Sequence, residues 1–311
     1  MIYVNLPFGS RLGNWMFHAA LALQYGEGAC LYTQEGSVAA LFSKYAEIFK
    51  GMPLARRLPH DIEVVREAGF AYRELPKWLD KENRLLVGYF QSERYFGDKD
   101  RVRKFFAPSE DRIRLLRTRF GDWLDRPLVT GISVRHGEDY RKVSFILPFC
   151  GKQYYRDCIA KLPKAKDFIV CSDDYAWCKK FFLKEFPEKH FLFMEGEAVL
   201  DQLYIHTLCQ NVILSNSSFS WWGGWLNQQP NRRILMPSMW LGYRHFGKTD
   251  WSSIYFGGAE IVKNRYTLGA WVYAHLIYWW THVKIRFYPL RKKIFWLFCK
   301  IGYKRVSASN E

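Results

Sequence analysis

The sequence predicts an α/β protein of two halves, each a parallel sheet with helices on its faces. Three observations carry that prediction. Short β-branched or apolar runs alternate with longer stretches of helical periodicity along most of the chain. The runs are apolar throughout rather than alternately polar, as strands buried on both faces of a parallel sheet are. And 311 residues, 49% of them hydrophobic, are enough for two domains of ordinary size, each with its own core.

The elements follow in order. Residues 2–5 read as a strand and 14–25 as a buried helix. Residues 85–90 are strand-like, while 101–106 and 111–124 have helical spacing. The alternation then becomes cleaner. It gives strand 128–134, helix 152–162, strand 167–171, helix 175–185, strand 190–193, helix 199–209, strand 211–214, helix 219–228 and strand 233–236. The two halves join near Asp125-Arg126-Pro127, and no internal repeat or low-complexity tract stands out.

Composition narrows the function classes. With charged residues at 24%, wholesale disorder is excluded. Aromatic residues reach 18%, with 13 Trp, which calls for a local explanation. The net charge of +16 favours anionic partners. It is uneven: ten cations face one acid, Glu311, beyond residue 260. Seven scattered cysteines without a C-x-x-C suggest neither a disulfide framework nor a zinc knuckle. The N-terminus enters a strand directly and does not have the form of a signal peptide. The most apolar window, 268–280, is interrupted by His275 and is short for a membrane span.

Four segments carry residues suited to chemistry. Phe8-Gly9-Ser10-Arg11-Leu12-Gly13-Asn14 is a glycine-bearing turn between a strand and a helix. Such a turn aims backbone N–H groups at an anion, or serves only as a turn with Asn14 capping the helix. In Ser133-Val134-Arg135-His136-Gly137-Glu138-Asp139-Tyr140 a strand runs into charged residues at its carboxyl end, where open α/β sheets bind ligands. Arg135 offers a planar fork suited to phosphate, while His136, Glu138 and Asp139 can exchange protons. Cys171-Ser172-Asp173-Asp174 can cap a helix or reach a nucleotide's ribose or base. Ser215-Asn216-Ser217-Ser218-Phe219-Ser220-Trp221-Trp222-Gly223 crowds more polar groups at a helix start than one cap needs, as a pyrophosphate cradle does.

Together these segments resemble the bacterial α-1,2-fucosyltransferases of glycosyltransferase family 11. The opening turn is similar to the family's Gly-x-Leu-Gly-Asn-Gln-hydrophobic-Phe, and Arg135 to Tyr140 to its His-x-Arg-Arg-Gly-Asp-Tyr. Gly88-Tyr89-Phe90-Gln91-Ser92, Cys171 to Asp174 and the run from Leu208 to Gly223 also agree, the last most specifically. The likeness covers about residues 1–260. Trp15 and His18 stand where the family usually has glutamines. Ser133 and His136 replace a His and an Arg, and one residue is inserted before Asp139. These departures bear on the acceptor and the base more than on the donor.

The resemblance implies an inverting transferase of GT-B architecture: two Rossmann-like domains facing a cleft, here 1–126 on the acceptor side and 127–266 for GDP-fucose. A basic amphipathic tail, 267–311, would follow. It implies transfer of L-fucose from GDP-β-L-fucose to a hydroxyl, the 2-OH of a terminal galactose on an oligosaccharide or glycolipid. The expected catalytic residues are Arg135, Asp139, Asn14 and His136. The donor side is assigned to Arg11, Gly13, Arg135, Ser172, Asp173, Asn216, Ser217, Ser218 and Phe219, and the acceptor side to His18, Phe90, Gln91 and Glu138. For the base, Asp139, Glu138, His136 and His18 are all candidates, Asp139 ahead by a narrow margin. No cofactor or metal is expected. Asp98-Lys99-Asp100 has the D-x-D form but sits in a charged helical stretch.

The tail requires its own account. Its aromatic window, with a second helix after Pro289 bearing Leu290, Ile294, Leu297, Phe298 and Ile301 opposite Lys292, Lys293, Lys300 and Lys304, suits an interfacial helix on anionic lipid. Peripheral membrane contact through 268–305 and a cytoplasmic, inner-face location are therefore expected, with packing against the body as the alternative. Nucleic-acid binding is disfavoured because the cations gather with apolar aromatics rather than across the strands. A binding scaffold without turnover and a fucosyltransferase of another linkage remain open.

Overall fold

A computed structural model describes residues 1–76, 83–242, 245–266 and 268–280. The first half runs β1 (Ile2–Asn5), α1 (Leu12–Gln24), β2 (Ala29–Tyr32), α2 (Gly36–Ser43), α3 (Ala46–Phe49), β3 (Leu54–Ala55), β4 (Glu63–Arg66) and β5 (Arg84–Val87). Two helices, α4 (Lys99–Phe106) and α5 (Glu110–Leu124), lead into the second half. That half runs β6 (Thr130–Val134), α6 (Glu138–Arg141), α7 (Lys152–Ala160), β7 (Asp167–Ser172), α8 (Tyr175–Glu185) and β8 (His190–Phe193). It continues with α9 (Val199–Leu208), β9 (Asn211–Ile213), α10 (Ser218–Trp225), β10 (Arg233–Pro237) and β11 (Ala259–Val262). A further helix, α11, covers 268–280.

The strands form two sheets, ordered β3-β2-β1-β5-β4 and β11-β10-β9-β6-β7-β8, and every described pairing is parallel. Numbered within its own half, the second sheet is 3-2-1-4-5-6, the dinucleotide-binding order. The expected GT-B arrangement of two parallel α/β sheets facing a cleft is thus met. The structure adds elements that the sequence pattern did not signal. They include β3, only two residues long, and β4, an edge strand whose Glu63 and Arg66 face solvent. The expected strand 85–90 stops at Val87, because the chain turns with Phe90 at φ +50°. Strand 128–134 starts at Thr130, since Leu128 also has positive φ. The expected helix after Pro289 lies outside the described residues.

The tryptophans explain how the halves are joined. Trp221, Trp222 and Trp225 of α10 are buried against Phe17 of α1 and Phe96. Each indole N–H is satisfied: Trp222 donates to the Gly13 carbonyl (2.9 Å), Trp221 to that of Ile254 (2.6 Å) and Trp225 to Glu93 Oε2 (2.8 Å). These aromatics therefore form a core shared by both halves, and they pin α1 to α10.

Candidate active site at the switch points of both sheets

In an open parallel sheet, loops leaving two neighbouring strands in opposite directions open a crevice beyond the carboxyl ends. Here the second sheet reverses between β6 and β9, and the first between β1 and β5. The segments that follow these strands line one cavity of about 850 Å³. Arg11, Gly13, Asn14 and Gln91 come from the first half; Arg135, Asp139, Ser172, Asp173 and Asn216 to Phe219 come from the second. That volume lies within the range of small-molecule sites.

Among the helices that begin at this cavity without a side-chain cap are α1, after Arg11, and α10, after Ser217. By contrast α4, α5 and α8 are capped by Asp98, Ser109 and Asp174. An uncapped helix start presents N–H groups and a positive dipole end, which favour an anion. The two starts touch backbone to backbone. A Cβ on Gly13 would fall inside contact distance of the Ser218 and Phe219 main chain. Asn14 does not cap α1; its Oδ1 accepts from Gln91 Nε2 at 2.7 Å, tying the α1 start to the loop after β5. Trp15 donates to Ser10 Oγ (2.7 Å), and Ser10 to the Pro7 carbonyl (2.6 Å), which fixes the opening turn.

Arg135 leaves the end of β6 and splits its fork between two carboxylates. One nitrogen meets Asp173, and the other donates to Asp139 Oδ2 at 2.8 Å. Arg11, from the opposite half, lies 3.4 Å from the same Asp139 oxygen. Partial burial opposes ionisation of Asp139, but Arg135 and Arg11 outweigh it and hold the carboxyl below the usual range. Asp173 also accepts the His136 N–H at 2.8 Å. Ser172 Oγ accepts from Asp174 N (2.9 Å), so Ser172 and Asp174 shape the start of α8. Asn216 lines the cavity, but its amide is engaged by the Pro148 and Trp240 carbonyls, and its own carbonyl accepts from Tyr140 Oη.

Four of the expected side chains are not brought to the cavity. His18 is buried, donates from Nε2 to the Gly88 carbonyl at 2.8 Å, and burial pushes its pKa down to about 4. Phe90 is buried, and its neighbour Tyr89 lines the cavity instead. His136 lies flat against Trp177, 4.7 Å between ring centroids, with Nδ1 3.0 Å from Asp174. Glu138 is exposed and pairs with Lys142 at 2.7 Å. Of the four candidate bases, Asp139 alone lines the cavity. The D-x-D carboxylates are occupied locally: Asp98 caps α4 and Asp100 pairs with Arg103. Sequence reasoning missed Tyr45, Phe70, Trp240 and Thr249, which complete the lining from segments without motif character.

Known proteins share this chain's pattern. The chain is 30% identical over 172 residues to an alpha-1,2-colitosyltransferase of Escherichia coli, covering 53% of this chain and 59% of that protein. It is 26% identical over 187 residues to the O-antigen biosynthesis glycosyltransferase WbnK of Escherichia coli, covering 56% and 60%. The matches thus span about three fifths of these relatives' length. Among solved structures, the fucosyltransferase NodZ from Bradyrhizobium aligns at TM-score 0.44 and 13% identity, over 71% of this chain and 91% of that one. The profile of glycosyl transferase family 11 matches residues 66–241, which include β6 with Arg135 and the start of α10. With more than half its length matched, the chain belongs to glycosyltransferase family 11.

Proposed function

We propose that the protein is an inverting glycosyltransferase that moves L-fucose from GDP-β-L-fucose to a glycan hydroxyl, the 2-OH of a terminal galactose. One observation carries the reading: Arg135 and the uncapped starts of α1 and α10 converge on a single cavity at the switch point of a 3-2-1-4-5-6 sheet. Fucosyl transfer builds positive charge on the sugar and negative charge on the departing diphosphate. A guanidinium fork and two fixed helix ends stabilise that negative charge without reorganising, which is where a protein lowers such a barrier most. They supply the electrostatic role that Mg²⁺ plays in other transferases, so we read the reaction as metal-independent.

Inversion requires attack from the face opposite GDP, with a base taking the hydroxyl proton. Asp139 is the base in this reading. While paired with Arg11 and Arg135 it is a weak one. A diphosphate that takes those guanidiniums in exchange loosens the pairing and lets its pKa rise toward an ordinary carboxylate. Donor binding then primes the base. In this reading Tyr89 and Gln91, from the first half, meet the acceptor. A second reading, with colitose as the transferred sugar, rests on the name of one relative.

The experiment offers GDP-fucose, GDP-colitose, GDP-mannose and UDP-galactose in turn with a β-galactoside, follows nucleotide release, and determines product linkage by NMR. Acceptor-stimulated GDP release and an α-1,2-linked fucosyl product are expected. Preference for a uridine donor, or GDP binding without turnover for every acceptor, contradicts the reading.

A further inference from the structure

We propose that one face of α11 is a docking surface for an anionic phospholipid bilayer. Leu268, Val272, Leu276 and Trp279 are spaced four, four and three residues apart, so they share one side of the helix. They are exposed, Leu268 at 79% and Leu276 and Trp279 at 63% each, and Trp271 and Trp280 flank them. Ala274 and Tyr278 lie toward the opposite side: Ala274 is fully buried, and the Tyr278 ring stands 5.4 Å from that of Phe145. The helix is thus held to the body by its Ala274 and Tyr278 side and presents the apolar stripe outward.

Isolated exposed apolar residues need no explanation, but a continuous stripe that includes one tryptophan and is flanked by two more does. Charge decides the occupant. Lys263 and Arg265 precede the helix, and eight Lys and Arg with no acid fill residues 281–305. Lys142, paired with Glu138, is exposed at the end of α6. Apolar and indole groups at an interface combined with surrounding cations are the two signals that together hold a protein on anionic lipid. No helix among the described residues is long and apolar enough to cross a membrane. The surface is therefore peripheral. Phe145, against which α11 rests, lies between Val143 and Ile146 of the cavity lining, so lipid face and cavity share one segment of chain.

The test uses the full chain with phosphatidylcholine vesicles, with and without phosphatidylglycerol, read by co-sedimentation and tryptophan emission. Wild type is expected to bind the anionic vesicles with a blue shift, to lose about fivefold in partitioning per lysine neutralised in Lys292→Gln/Lys293→Gln, and to bind less as salt rises. Leu276→Ser/Trp279→Ser, changes at exposed positions, should weaken partitioning at least tenfold while leaving the circular-dichroism melt and GDP binding unchanged. Equal partitioning of this variant and wild type overturns the proposal, as does wild type that stays in the supernatant with both vesicles. A dimer that the variant abolishes would assign the face to a second copy instead. Monomeric wild type that ignores lipid would assign it to residues 281–311 of the same chain.

Discussion

At the scale of single residues, the proposed function concentrates on Arg135. Its two-pronged geometry, already engaged with two carboxylates, suits a diphosphate better than a point charge does. Arg135→Ala is expected to lower turnover by on the order of 10²–10³, and Arg135→Lys to recover little of it; steady-state GDP release checks both. Transfer should also survive EDTA, because Asp98 and Asp100 are already committed to α4. Loss of activity restored by Mg²⁺ or Mn²⁺ would contradict that. Arg135 and Asp139 were legible because charged residues at a strand's carboxyl end have few structural duties. His136 and His18 were misplaced because residue type says nothing about burial. One ring stacks on Trp177 and the other sits beneath the loop after β5.

At the scale of elements, two contacts set the cavity's shape. The starts of α1 and α10 meet at Gly13, which leaves no room for a methyl group. Gly13→Ala must push backbone rather than a flexible side chain, so we expect about 1–3 kcal/mol of destabilisation and weaker GDP binding. Denaturant melts and GDP titration measure the two. The second contact is Glu67, whose Oε2 accepts from the Tyr89 and Phe90 amides at 2.7 and 3.1 Å, holding Phe90 in its left-handed conformation. Glu67→Ala should cost about 1–3 kcal/mol and raise the acceptor KM. Glu67→Gln, whose amide oxygen can accept the same two bonds, should stay near wild type. This turn explains why the strand pattern failed at Phe90: apolar residues continue through a point where the backbone does not. The α10 start, in contrast, was readable because its serines and Asn216 exceed the needs of a cap.

At the scale of the molecule, the alternation of strands and helices was plain from residue 127 onward and weak before it. The central strands β6 and β7 of the second sheet are five and six residues long and mostly buried, whereas β3 and β4 are short or charged. The shared tryptophan core also has a consequence for pH. His18 and His206 are buried without charge partners, and burial lowers both pKa values to about 4. Between the unfolded value near 6.5 and 4 the unfolded chain binds protons that the folded one excludes, so stability is complete above 6.5 and falls as pH drops. Two such groups give a slope of about 2 kcal/mol for each pH unit near pH 5. Urea midpoints at pH 7 and pH 5 measure it, and His206→Gln should flatten part of the slope. A midpoint equal at both values would contradict the burial argument.

The central claim is that the cavity between the halves holds the diphosphate of a GDP-sugar. A crystal structure with GDP tests it most directly. The account predicts the diphosphate against the Arg135 guanidinium and the Ser218 and Phe219 amides, with Asp139 displaced from Arg135. Nucleotide bound outside the cavity, or Arg135 still shared by Asp139 and Asp173 with GDP in place, would contradict it.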